Sequence, residues 1–144
     1  LGYLLGGRLS VHNPSLNRFA GIFALGAILL YPLILFAEPV MEFIFLRIED
    51  PRYGSLMASA FLFILPTVIL GMISPYSVRL LVTKVEESGK VAGTLYFVST
   101  LGSAIGTLMT SFYFILWFEV NTVLTLLTVV LLVVAGVAVL AARR

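Results

Sequence analysis

Residues 66–81 read PTVILGMISPYSVRLL. Two prolines and a glycine interrupt an apolar run, and Arg79 marks its end. In a helix interior a proline removes one backbone hydrogen bond and crowds the carbonyl four residues back, at a cost of about 3 kcal/mol or more. Lipid-embedded helices carry such residues where neighbouring hydroxyls or backbones re-satisfy the freed groups. Followed upstream to residue 55, the run exceeds the roughly 20 apolar residues that cross about 30 Å of hydrocarbon. The stretch therefore reads as the interrupted end of a membrane-spanning helix, with Arg79 at the headgroup boundary, where its long stem can snorkel outward.

The rest of the chain has the same character. Its 144 residues are 60% hydrophobic and 11% charged, against roughly 25% charged in soluble domains, and the mean hydropathy is +1.11. The apolar segments are continuous, unlike the alternating strands of roughly ten residues in membrane barrels. The expected fold class is all-α: a polytopic transmembrane helical bundle of four full spans plus the end of a fifth. The spans are placed at 17–39, 55–81, 91–118 and 121–142, with 1–7 as the tail of a preceding helix. Because Leu1 already lies in an apolar run, the chain is expected to be part of a longer one. Residues 6–18, GGRLSVHNPSLNR, form a polar turn in which Asn17 or Ser15 caps the next helix. Residues 37–54 are mixed, and their pattern does not separate a short interfacial helix from a loop dipping into headgroups. The WFEVN connection is short enough to pack the third and fourth spans as an antiparallel hairpin. The uniformly aliphatic fourth span is expected at the lipid-facing periphery.

Several residues stand out. Pro66, Gly71 and Pro75 are expected to shape the second span, with a kink at Pro66 and Gly71 facing a neighbour, while Ser74 and Ser77 repair the backbone. In the third span Ser99, Gly102, Ser103, Gly106 and Thr110 recur at three- and four-residue spacing, and Gly102 and Gly106 form a GxxxG pair. Such a face lets two helix backbones approach closely. Gly2 and Gly6 repeat the spacing. Ser74, Ser77 and Tyr96 are the weak candidates for a polar path. No catalytic, cofactor-binding or metal-ligating set is visible. Cysteine is absent, the single histidine, His12, lies in a polar turn, and no acid or base is expected inside the hydrocarbon core, where ion and proton pathways usually carry one: Glu38 and Glu119 are terminal and Arg79 is at the boundary. The partners implied are the lipid bilayer and other transmembrane helices or subunits, not nucleic acid.

Three segments, LGYLLGGRLS (1–10), LPTVILGMISPYSVRL (65–80) and GKVAGTLYFVSTLGSAIGTLMTSF (89–112), together resemble the membrane domain of the fused major-facilitator/spermidine-synthase-like proteins of bacteria and archaea. The resemblance implies a major-facilitator-like half, and a soluble aminopropyltransferase-like Rossmann domain elsewhere that would hold the catalytic acid and the donor site. The GGRL turn is also similar to the loop between the second and third helices of major-facilitator proteins. There an Asp normally follows, whereas this chain reads Ser10-Val11-His12, so the resemblance carries no gating salt bridge to the turn. The function expected is that of a scaffold, anchor or partner-binding subunit. The alternatives are a transporter-like module for polyamines or another small solute, and the membrane anchor of an aminopropyltransferase.

Charge sets the expected orientation. Arg8, Arg18, Arg79, Lys84, Lys90, Arg143 and Arg144 fall on one side of the spans, and Arg47 and Arg52 on the other. Basic residues concentrate in cytoplasmic loops, so residues 8–18, 82–90 and the C-terminus are expected in the cytoplasm of an inner-membrane, multi-pass protein, and residues 40–53 outside. With cysteines placed at Ser88 and Tyr53, an impermeant thiol reagent applied from outside is expected to label Tyr53→Cys and spare Ser88→Cys. The reverse pattern would invert the topology.

Overall fold

The computed structural model describes residues 1–82 and 84–143; Arg144, counted in the charge split above, lies outside the described residues. Among them the secondary structure is helical throughout, in the order α1 (Gly2–Val11), α2 (Leu16–Phe45), α3 (Pro51–Gly71), α4 (Ile73–Leu81), a 3-10 turn (Val85–Glu87), α5 (Ser88–Met109), a π-helical segment (Thr110–Phe114), α6 (Ile115–Trp117) and α7 (Val120–Ala142). Four stretches are long and apolar enough to cross a membrane: Leu16–Phe45, Pro51–Leu81, Val85–Trp117 and Val120–Ala142.

Local chemistry explains the ends. Ser15 caps α2, its Oγ accepting from the Arg18 N–H at 3.3 Å, which spares one of the unpaired donors of the first turn. Asp50 caps α3 in the same way, accepting from the Arg52 N–H at 2.9 Å, and Pro51 sits at the first helical position, where its missing N–H is not needed. Residues 37–45 are not a separate interfacial helix or loop but the last turns of α2, which runs through both Pro32 and Pro39. Its end is held against the start of α3, where a Cβ on Gly54 would lie 2.7 Å from the Phe45 ring. Only residues 46–50 turn the chain. The polar turn near the N-terminus likewise shrinks to residues 12–15, because α1 continues to Val11.

Helix α2 is the centre of the packing. It lies against α7 and α3 and also touches α4, and α1 packs on α3 and α4. Ala27, Leu30 and Leu33 of α2 and Leu131 of α7 form the buried cluster, with Phe23, Leu62, Leu70 and Leu124 around it. Gly26 admits Leu70, whose Cδ2 would stand 2.7 Å from a Cβ there. The α7 side of the seam is Thr128, Leu131, Ala135 and Ala138, spaced three and four residues apart on one helix face. Thr128 keeps its hydroxyl satisfied within the helix by donating to Leu124 at 2.8 Å.

Two expectations are corrected here. The fourth span is not wholly lipid-facing: its outer face is exposed, but α7 shares the largest seam of the bundle with α2. Nor does it form a side-by-side hairpin with the third span. After the extended backbone of Phe118 and Glu119, α7 packs on α2 rather than along α5. The peripheral helix is α5, which packs on α4 and buries no residue. Helices in lipid associate through van der Waals fit rather than hydrophobic exclusion, so small residues decide the pairing and a uniformly aliphatic composition does not.

The closest approach belongs to α1. A Cβ on Gly6 would fall 2.5 Å from the Met72 carbonyl oxygen and 2.7 Å from its Cα, and one on Gly2 would collide with the Val68 carbonyl oxygen. Gly6→Val is therefore expected to lower stability in detergent by about 1–3 kcal/mol, the usual range for overpacking, or to prevent folding. Gly102→Val, where a Cβ meets nothing within 4 Å, is expected to leave the thermal midpoint of this chain nearly unchanged.

Candidate functional site

Pro75 has no N–H to offer the carbonyl four residues back, at Gly71, and its ring crowds that carbonyl. The second span breaks at this point: α3 ends at Gly71, α4 begins at Ile73, and Met72 N–H donates to Ile69 at 3.0 Å in a tightened turn. Pro66 lies buried inside α3. Gly71 faces α1, with the Gly2 Cα 3.5 Å from where a Cβ would be. The break is thus where α1 docks, through the Gly2 and Gly6 pair.

One turn further on, Tyr76 is fully buried. Its hydroxyl accepts from the Ser15 N–H at 3.0 Å and donates to the Ser15 carbonyl at 3.3 Å. Its ring stacks on Phe19 at 5.8 Å between centroids, and Phe19 meets Phe23 edge-on at 5.0 Å. A single phenol therefore ties the turn between α1 and α2 to the broken helix. The same turn is held from its other side by Arg18, whose Nη1 donates to the carbonyls of His12 and Asn13. Asn13 has a positive φ of 49°, a conformation asparagine tolerates better than most residues. Tyr76 was not among the site candidates read from the sequence. The signal available was a tyrosine between the proline and the boundary arginine, and only the fold supplies its partner at Ser15.

Of the two hydroxyls expected to repair the backbone, Ser77 bonds elsewhere, its Oγ donating to Ile73 at 2.7 Å. Thr67, the hydroxyl next to Pro66, has its Oγ1 donating to Phe63 at 2.6 Å and Ile64 at 3.0 Å. Neither reaches the Gly71 carbonyl that Pro75 frees or the Leu62 carbonyl that Pro66 frees.

Between α1, the broken helix and α5 lies an open cavity of about 320 Å³, within the range of about 300–1,000 Å³ usual for ligand clefts. Ser74, Ser77 and Ser99 line it with Tyr3, Gly71 and Leu95 among others. The structure thus brings two of the polar-path residues, Ser74 and Ser77, together with Ser99 of the small-residue face. It does not bring Tyr96 to them; that side chain is exposed on α5. Gly102, Ser103, Gly106 and Thr110 continue beyond the cavity on the part of the third span that stands away from the bundle, and a Cβ on Gly102 or Gly106 meets nothing. The cavity's polar groups are hydroxyls, which orient a ligand but carry no charge to balance a cation. Among the described residues no group of three or more His, Cys, Asp or Glu is arranged to hold a metal ion.

No protein-family model matches the chain, and neither the curated proteins nor the solved structures contain a significant match to it.

Tyr76→Phe removes both bonds to Ser15 while keeping the ring stack. The expected result is a loss of about 1–3 kcal/mol, the range for leaving polar groups unpaired in a low-dielectric site, together with faster amide exchange across residues 12–18. Unchanged exchange there would show that the phenol does not hold the turn.

Proposed function

We propose that the chain is a membrane-embedded helical scaffold that docks further transmembrane helices, supplied by the same polypeptide or by partner subunits. The observation that carries this reading is the asymmetry between its two glycine pairs. Gly2 and Gly6 are closed over by the α3–α4 backbone, whereas Gly102 and Gly106 lie on a span with no buried residue. An outlying helix with a small-residue face is suited to receive another helix backbone to backbone. The basic residues of the turns and of the α7 end favour a multi-pass arrangement in a cytoplasmic membrane with that end inside.

The resemblance to the membrane domain of spermidine-synthase-like fusions supports a more specific form of this reading. The bundle would then be a major-facilitator-like half that anchors or assembles with an aminopropyltransferase-like domain, and any catalysis would reside in that domain. A transporter-like reading has one observation in its favour, the hydroxyl-lined cavity at Ser74, Ser77 and Ser99. Polyamine cations would require carboxylates, and none lines that cavity.

The test is Gly106→Leu in native membranes. The fold of the chain itself is expected to survive, and its association with partners, read by native electrophoresis or by cross-linking from a cysteine at Ser103, is expected to fall about 5- to 150-fold, the equivalent of about 1–3 kcal/mol of overpacking. Association at wild-type strength would refute the docking role. Solute uptake that Ser74→Ala abolishes would favour the transporter reading in its place.

A further inference from the structure

Helices α1 and α2 each pack on α3 and α4, and a second groove opens between them. Leu5 and Leu9 form one wall, Ile22 and Leu25 the other, and Ile69 and Met72 complete the lining from the broken helix. Its volume is about 940 Å³, near the upper end of the usual range for ligand clefts. Gly21 also lines it, and a Cβ there meets nothing. Arg8, His12 and Arg18 complete the lining, and no carboxylate lines the groove. Arg18 is held by the bonds of its Nη1 to the His12 and Asn13 carbonyls, which uses one nitrogen of a fork with five N–H donors.

We infer that this groove is a binding site for an anionic glycerophospholipid, with the phosphate at Arg8, His12 and Arg18 and an acyl chain along the leucine walls. Charge complementarity selects this occupant. An apolar protein helix would bring nothing to neutralise the two arginines, whereas a lipid brings a phosphate and hydrocarbon in one molecule to a groove that holds both basic and apolar side chains. Basic pockets between transmembrane helices on the cytoplasmic side bind acidic headgroups for this reason, and the charge distribution places the turn on that side. The inference rests on the membrane-spanning reading of the helices and deepens it by naming a lipid class.

The test uses the whole chain in zwitterionic detergent, titrated with short-chain phosphatidylglycerol or with phosphatidylcholine of the same acyl length, and bound lipid is counted by native mass spectrometry. One phosphatidylglycerol is expected to be retained per chain in preference to phosphatidylcholine. Arg8→Gln is expected to lower that preference about fivefold, the contribution of one basic residue near an anionic surface. Gly21→Leu, at a groove position where a Cβ meets nothing within 4 Å, is expected to abolish retention of the lipid while circular dichroism stays unchanged. Lys90→Gln, a basic residue outside the groove, is expected to change nothing. Equal retention of the two lipids, indifference to Arg8→Gln or Gly21→Leu, or an equal effect of Lys90→Gln would overturn the assignment. Inorganic phosphate that competes on equal terms with the lipid would overturn it as well, in favour of a free-anion site. A chain that stays dispersed without detergent would remove the membrane reading itself, and the lipid site with it.

Discussion

Pro75 leaves the Gly71 carbonyl without its helical donor, and the contacts that arrange the N-terminal half gather around that point. Because α3 stops there, the backbone at Met72 is presented to α1, and only glycine at positions 2 and 6 allows the approach. Because α4 restarts at Ile73, Tyr76 is aimed at the turn that begins α2 and binds both backbone groups of Ser15. The start of α2 is thereby located relative to α3 and α4, and α2 in turn supplies the face on which α7 lies.

The spans were legible from length and hydropathy, because the thickness of a bilayer sets a simple requirement on both. Their pairing was not. Lipid and helix interior are equally apolar, so a helix such as α7, rich in Leu and Val, looks alike whether it faces chains of lipid or chains of protein. The informative marks were smaller: Thr128, Ala135 and Ala138 at helical spacing on α7, and on α2 Ala27, which packs with Leu131, and Gly26, which admits Leu70. The glycine pairs illustrate the limit directly. Gly2/Gly6 and Gly102/Gly106 share one motif, yet one pair is filled within the chain and the other stands open. A spacing states that a close approach is permitted and not which backbone will make it. The mixed stretch 37–45 misled for a related reason, since its charges and Pro39 suggested an interruption that the α2 backbone does not make.

The candidate site was half legible. Ser74 and Ser77 drew notice as hydroxyls beside a helix break, and they do line a cavity, but Ser99 joins them only because α5 leans on α4. Tyr76 escaped because its meaning lies in a partner far away in sequence. The basic residues of the first turn were noted for orientation alone. Their position beside an apolar-walled groove depends on α1 and α2 packing separately on α3 and α4, which no local pattern encodes.

The pairing of α2 with α7 also has a consequence for biosynthesis. Between Phe45 and Val120 the ribosome must add about 75 residues, which at about 5–20 residues per second takes about 4–15 s. Throughout that interval α2 has emerged without the helix that covers its largest seam, while α3 and α5 are delivered ahead of it. The nascent chain must therefore hold Ala27, Leu30 and Leu33 available and admit the last helix beside the second. The pairing most distant in sequence is therefore the last that synthesis can complete, after α3 has already packed on α2 beside the same cluster.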